Sequence, residues 1–379
     1  MTKRHFFTSI QCSDVSEYNH PAELHGVPNR NPHELYQKME ISRSSNRNDV
    51  TVIEPWGSIL EVAIWTPSPH NGQPWKVKII SESEAMLFID KSRMLPKEDS
   101  TSSFLINGMT MFVEGIRIIA ANFGFELDVV HKLPLQTDLN LIPFATLRLT
   151  KNLEAAKSYS NDLYAARRTS RLGYEDRSIP LEAINALREI AKANGYLVDV
   201  VSDSAEIEKL LSWNIDAVFD DFNDPNYHDE ILQWMRFTEK ESASRRDGLG
   251  VRCMGMSPLE YWLGSHWGFL FKLPIFRPLF KHLYRKRLGV IHHIGYISGP
   301  FWDQEAAVQS GVCLIRLWLE MQRLGVSMHP LGNLVTNGGA AGKCEGLFNQ
   351  PNIWLVFKLG YSAPAPRSYR LTVQEILVA

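Results

Sequence analysis

The hydrophobic pattern of this chain switches between a helical period and a strand period, and it does so in two similar rounds. An apolar stretch, Ile59-Leu60-Glu61-Val62-Ala63-Ile64-Trp65, predicts a helix over 57–66. A proline-rich turn comes after it, and then Trp75-Lys76-Val77-Lys78-Ile79-Ile80 alternates as a half-buried strand does, predicting strands over 75–81 and 85–90. The helix predicted at 102–123 is almost free of charge and reads as buried nearly all round, before Gly124 and strands near 127–131 and 144–150. The second round opens with a helix over 180–194, Pro180 at its start and Gly195 at its exit. Strand 197–201 and helix 205–218 come next. A second long apolar helix, 303–324, mirrors the first, and strand 353–359 closes the pattern. The pattern is compatible with an α+β fold class of two related halves.

Two polar motifs interrupt this pattern. Pro67-Ser68-Pro69-His70-Asn71-Gly72-Gln73-Pro74-Trp75 is a stiff loop whose prolines stop the preceding helix, while Ser68, Asn71 and Gln73 offer short-range donors and acceptors. Most turns of this composition are only structural; amides on a rigid loop also suit recognition of a planar heterocycle. About a hundred residues on, Arg167-Arg168-Thr169-Ser170-Arg171 gathers three guanidiniums and two hydroxyls. Such a cluster is either a solvated basic patch or a bidentate cradle for phosphate.

The first string resembles the flavin-contacting loop of the nitroreductase superfamily, and with His70 before Asn71 it is most similar to the Acg-type branch. The second is similar to the motif that grips the FMN phosphate in that family. The resemblance implies that Arg167, Thr169 and Arg171, with Arg168 beside them, hold the phosphate, and that Pro67, Ser68, Pro69, Asn71 and Gln73 form the opposite wall. The order of the two motifs is the reverse of that in an ordinary nitroreductase, whose flavin lies between two subunits. A chain with the loop early and the arginines late makes both sides of one such site by itself. The resemblance thus implies a pseudo-dimer holding a single FMN, with a first half over 53–155 and a second over 156–379.

Two weaker matches lie in the second half. Ile353 to Tyr361 reads as a buried strand ending at Gly360, with Arg367 and Arg370 after it. The resemblance places Arg367 near the phosphate, and Arg370 with less support. Ser327-Met328-His329-Pro330-Leu331-Gly332-Asn333 occupies the stretch from which the family brings a backbone N–H toward the reactive flavin nitrogen. Pro330, Leu331 and Gly332 join the candidate cofactor residues on that basis, and Leu331, Gly332 and Asn333 are alternative donors.

Residues 226–300 form an insertion rich in large aromatic side chains. Between Glu260 and Asp303 there is no acidic residue, whereas Lys272, Arg277, Lys281, Arg285, Lys286 and Arg287 are basic. Its longest uncharged run, 261–271, falls short of the roughly 20 residues that cross a bilayer. The resemblance favours an aromatic lid over the flavin. A docking patch for an anionic substrate or nicotinamide phosphate and a membrane-surface segment are the other readings.

Composition narrows the remaining choices. A net charge of −2 over 379 residues gives no reason to invoke nucleic acid. Cys12, Cys253, Cys313 and Cys344 are scattered, with neither disulfide nor zinc spacing, and His292-His293 reads as one solvent and one core residue, so no metal is expected. Residues 1–52 read as a polar arm without an adequate apolar targeting segment, and a cytoplasmic location is expected. Without a G-x-G-x-x-G fingerprint, NADH or NADPH, if used, is expected to be a transient reductant and not a resident of a Rossmann domain. Taken with both motifs, the resemblance implies an FMN-dependent oxidoreductase passing hydride to a small nitroaromatic, quinone or enone, as a pseudo-dimeric monomer or a homodimer without stable membrane insertion. A non-catalytic FMN-sequestering protein is the rival reading. A biosynthetic flavin dehydrogenase is another, with His70 or a lid residue as base.

Overall fold

Two four-stranded antiparallel sheets with the same strand order frame the molecule. A computed structural model describes residues 52–266 and 276–379, so the arm expected over 1–52 lies, apart from Val52, outside the described residues. The first sheet holds β1 (Trp75–Ile79), β2 (Glu84–Asp90), β3 (Phe125–His131) and β4 (Leu141–Lys151), ordered β1-β2-β4-β3. The second holds β5 (Leu197–Val201), β6 (His293–Ser298), β7 (Ser327–Pro330) and β8 (Ile353–Gly360), ordered β5-β6-β8-β7. The main helices are α1 (Trp56–Ala63), α2 (Ser103–Asn122), α3 (Leu181–Ala193), α4 (Ser204–Asn223), α5 (Pro258–His266), α6 (Arg277–Leu288) and α7 (Gln304–Arg323). Each half therefore runs helix, strand, strand, long helix, strand, strand.

This repetition corrects the expected insertion. It was drawn over 226–300, but β6 is buried along its whole length and belongs to the core sheet. The interruption lies between β5 and β6, where the first half has only a tight hairpin between β1 and β2. Helix α4 belongs to it. Sequence patterning hid this boundary because β6 is buried on both faces and shows no alternation.

The long helices α2 and α7 pack against each other between the halves. Helix α2 runs 20 residues with only Glu114 and Arg117 charged, and Asp99 caps its first turn by accepting from the N–H groups of Phe104 (3.2 Å) and Leu105 (2.7 Å). It is long and apolar enough to cross a bilayer, but 89% of its apolar window is buried inside the protein. Close approach of the helices depends on Gly311 of α7: a Cβ there would stand 2.5 Å from the Asn107 carbonyl oxygen. Asn107 also donates to Ser310 Oγ at 2.7 Å, and Glu114, buried in the seam, accepts from Arg316 Nε at 2.8 Å. One hydrophobic cluster runs from Trp56 through Phe112 and Leu317 to Trp354, so the halves share a core. Each fully buried large apolar side chain in it contributes about 1.5–3 kcal/mol.

Candidate functional site

The proline-rich loop is held in a strained shape. Pro69–Asn71 forms a single 3₁₀ turn, and His70 (φ 47°), Asn71 (57°) and Gln73 (50°) all take the left-handed conformation, which costs on the order of 1 kcal/mol or more for each non-glycine residue. The sequence accounts for what offsets it. Ser68 Oγ accepts from the Gln73 N–H at 2.9 Å, and Arg93 Nη1 donates to the Gly72 carbonyl at 2.7 Å.

Here the structure departs from the expected roles of the amides. Asn71 Nδ2 donates to the carbonyls of Gly248 (3.1 Å) and Tyr369 (3.2 Å), and its Oδ1 accepts from Arg370 Nη1 (2.6 Å). Gln73, fully buried, donates to the Arg246 carbonyl at 2.9 Å and accepts from the Leu371 N–H at 2.8 Å. Gln73 lines neither of the two cavities that the loop borders. These side chains stitch the loop to two distant segments, and their contribution to the site is its shape. Gly248 takes φ +74°, and a Cβ on it would meet the Trp234 carbonyl at 2.4 Å, so the segment opposite Asn71 depends on glycine there.

The arginine motif lies along the edge of β7, fixed by Ser170 N–H donating to the Met328 carbonyl at 3.1 Å. In that extended conformation alternate residues share a face. Arg167, Thr169 and Arg171 all line a cavity of about 100 Å³, while Ser170 is turned away toward Ser362 Oγ at 2.8 Å. Arg168 also reaches this cavity, as do Pro67, Ser68, His70 and Asn71 from the loop and Arg367 and Arg370 from the C-terminal segment. The sequence ranked Arg370 below Arg367; the structure brings both in.

Five guanidiniums thus face one small space, and no carboxylate is among its lining residues. Arg167 is 5% exposed; its Nη2 donates to the Trp65 carbonyl at 3.3 Å, but Nε and Nη1 have no partner. The Nε atoms of Arg168, Arg367 and Arg370 are likewise buried without partners. Burial pushes the pKa of Arg167 down to about 10. Burial and then the Arg167 charge push Arg370 down to about 9. Both stay protonated at neutral pH. Concentrated positive charge with unpaired N–H groups is what a phosphate would satisfy. Trp65 stiffens the cradle, with the Arg367 guanidinium 3.2 Å from its ring centroid.

A second cavity, about 220 Å³, adjoins the first; Pro67, Ser68, His70, Thr169 and Arg171 border both. Its walls are mostly apolar, from Pro69, Leu95, Phe104, Met111, Leu314, Trp318, Pro330 and Leu355, with Gly332 and Thr336 at one side. Pro330 and Gly332 are where the sequence placed them. Leu331 is not: it is buried in the neighbouring cluster and its N–H donates to the Val356 carbonyl at 2.7 Å, so it is unavailable to a ligand. Sheet register decides this, and the sequence does not display it.

Two acids border the apolar cavity without having been foreseen. Glu98 is ion-paired with His70 Nε2. Burial alone would lower the His70 pKa, but the Glu98 carboxylate raises it above the ordinary histidine value. Asp99 is pushed up to about 6 by burial, against the backbone N–H groups it accepts from. Leu314 and Trp318, four apart on α7, and Phe104, Asn107 and Met111 on α2 were legible only as core positions. A polar Asn107 on an otherwise apolar helix face was the signal that could have marked the cavity. His292 and His293 hold no metal partners: His293 accepts from the Ile179 N–H at 2.9 Å, His292 bonds Asp176, and no metal-ligating cluster occurs among the described residues.

No family model matches the chain. Among curated proteins it is 25% identical over 180 residues to the putative NAD(P)H nitroreductase acg of Mycobacterium tuberculosis, covering 47% of this chain and 53% of that protein. It is 24% identical over 298 residues to the probable NAD(P)H nitroreductase PigM of a Serratia strain, covering 74% of this chain and 80% of that protein. The chain is thus similar in sequence to proteins named as NAD(P)H nitroreductases. It spans about half the length of the mycobacterial relatives it matches. Among solved structures, the FMN-dependent nitroreductase NfnB from Mycobacterium smegmatis in complex with NADPH aligns at 16% identity and a TM-score of 0.35, over 54% of this chain and 92% of that one. Within this chain the early loop and the late arginines meet at one cavity.

Proposed function

We propose that this protein is an FMN-dependent oxidoreductase that draws on NADH or NADPH to reduce a small organic acceptor such as a nitroaromatic, quinone or enone. One observation carries the reading: five arginines, four of them with unpaired, buried N–H atoms, surround a phosphate-sized space that opens into an apolar cavity. FMN, when bound, supplies the hydride and electron transfer. The residues present fit it. Arg167, Arg168, Arg171, Arg367 and Arg370 hold the phosphate, and Thr169 and Ser68 offer hydroxyls beside it. Phe104, Met111, Leu314 and Trp318 exclude water from the ring end, where low polarity strengthens every remaining electrostatic contact. His70, whose protonated form the Glu98 carboxylate favours, places Nε2 against that carboxylate on the border of both cavities. The repeated topology of the halves supports one pseudo-dimeric chain with one flavin, and the segment between β5 and β6 supplies Gly248, Leu249 and Cys253 as its cover.

Purified protein should be yellow, and anaerobic NADH or NADPH should bleach the flavin band. A colourless protein that FMN does not reconstitute refutes the proposal. Stopped-flow bleaching far slower than turnover on the order of 1–10³ per second would favour the sequestering alternative.

A further inference from the structure

Helix α6 has its polarity turned round. Arg277, Lys281 and Arg285, spaced four apart, point inward to α4, where Arg277 pairs with Asp216 and Asp220 at 3.1 Å, Lys281 with Asp216 and Arg285 with Glu208. Phe280 and Tyr284 pack inward as well, against Ile215, Val218 and Phe219. The opposite stripe is apolar and open to solvent: Phe276 is 39% exposed, Leu279 51% and Leu283 51%, at spacings of three and four. His282 and Lys286, both exposed, stand beside that stripe and make no ion pair among the described residues. Helix α5, tied to α6 through Arg287 and Glu260 at 3.4 Å, exposes Leu259 (65%) and Trp262 (39%). Ordinary surface helices place leucine inside and charge outside, so an exposed leucine stripe with its acids paired away marks a docking face.

We propose that this face docks on the surface of an anionic phospholipid bilayer. Leucine, phenylalanine and tryptophan beside the unpaired Lys286 ammonium match the boundary between acyl chains and acidic headgroups. Charge selects this occupant. No acidic residue occurs between Glu260 and Asp303; Asp216, Asp220 and Glu208 are engaged by the inner row and Glu260 by Arg287, which leaves Lys286 as a positive charge on the outward side. A two-fold contact with a second copy would set Lys286 of each against the same charge of the other. The docking is peripheral: α6 lies along the interface, and nothing in it spans the membrane.

Co-sedimentation of the full chain with vesicles tests this. Vesicles of phosphatidylcholine containing phosphatidylglycerol should carry the protein down, pure phosphatidylcholine should not, and high salt should release it. Leu279→Asp combined with Leu283→Asp should reduce the partition coefficient about tenfold or more. Lys286→Ala, which leaves the leucines in place, should reduce it about fivefold. Val130→Asp, an exposed apolar position on β3, should leave it unchanged. Failure of the unaltered protein to bind anionic vesicles overturns the proposal, as does unchanged binding by Lys286→Ala together with the leucine pair. Light scattering that shows a dimer broken by the leucine pair would assign the face to a second copy instead.

Discussion

Asn71 accepts a 2.6 Å hydrogen bond from Arg370, a residue 299 positions further along the chain. The pair fixes one guanidinium of the cradle and the apex of the strained loop together. Asn71→Ala should therefore weaken FMN binding even though the amide is occupied by protein partners. Loss of a hydrogen bond to a charged group costs about 1.5–3 kcal/mol, which corresponds to tenfold or more in dissociation constant. Flavin fluorescence titration measures it; an unchanged constant would show that the loop keeps its shape without Asn71.

Arg167→Met should move two properties in opposite directions. Without a bound anion, Arg167 is a buried cation with two unpaired N–H groups near Arg370, an arrangement that costs stability. The variant without flavin should melt at the same or a higher temperature than the unaltered protein. Its affinity for FMN should fall by about tenfold to a hundredfold. Thermal melts with and without added FMN separate the two effects, and a variant destabilised in both states would place Arg167 in a structural role.

Asp99 sets a pH dependence whose sign comes from linkage. Its pKa rises from 3.8 to about 6 on folding, because burial disfavours the carboxylate. The folded chain then binds more protons than the unfolded chain between those values, so stability falls as pH rises from about 4 through 6, by roughly 3 kcal/mol in total. Asp99→Asn, which keeps an acceptor for the first turn of α2, should flatten that part of the profile. Melting temperatures between pH 4 and 7 report it, and an equal slope in both proteins would reject the assignment.

Gly311→Ala should disturb the seam between the long helices. The added Cβ meets backbone atoms, the Asn107 carbonyl oxygen at 2.5 Å and the Met111 nitrogen at 2.9 Å, and backbone in a helix cannot swing aside. Overpacking of this kind costs about 1–3 kcal/mol, a loss of several degrees in melting temperature. Gly346→Ala, in the helix Gly338–Phe348 with nothing near its Cβ, should instead be neutral or stabilising by up to about 1 kcal/mol.

The elements with clear periodicity were legible in the sequence. Helix 303–324 appears as Gln304–Arg323, and strand 197–201 appears with the same bounds. The short strand β7 and the buried strand β6 were not, because four residues carry no period and a strand covered on both faces does not alternate. In the site, arginines were visible because charge density survives without tertiary information. What Asn71, Gln73 and Leu331 do was hidden, since each answers to a partner fixed only by folding: Arg370, Leu371 and Val356. Glu98 and Asp99 looked like ordinary loop acids until burial and His70 gave them their character.

Because Gln73 waits for Leu371 and Asn71 waits for Tyr369 and Arg370, the cradle does not exist while the chain is still being synthesised. A ribosome must deliver nearly three hundred further residues after the loop before Arg370 can close on Asn71. Under the proposed function, cofactor capture would be a late event in the life of the chain, and the flavin would act on the finished fold as a rivet does, stabilising it by an amount that grows with the logarithm of its concentration. Under that proposal, cells short of the cofactor would accumulate loosely fastened protein, exposed to proteolysis at the loop and the C-terminal segment first.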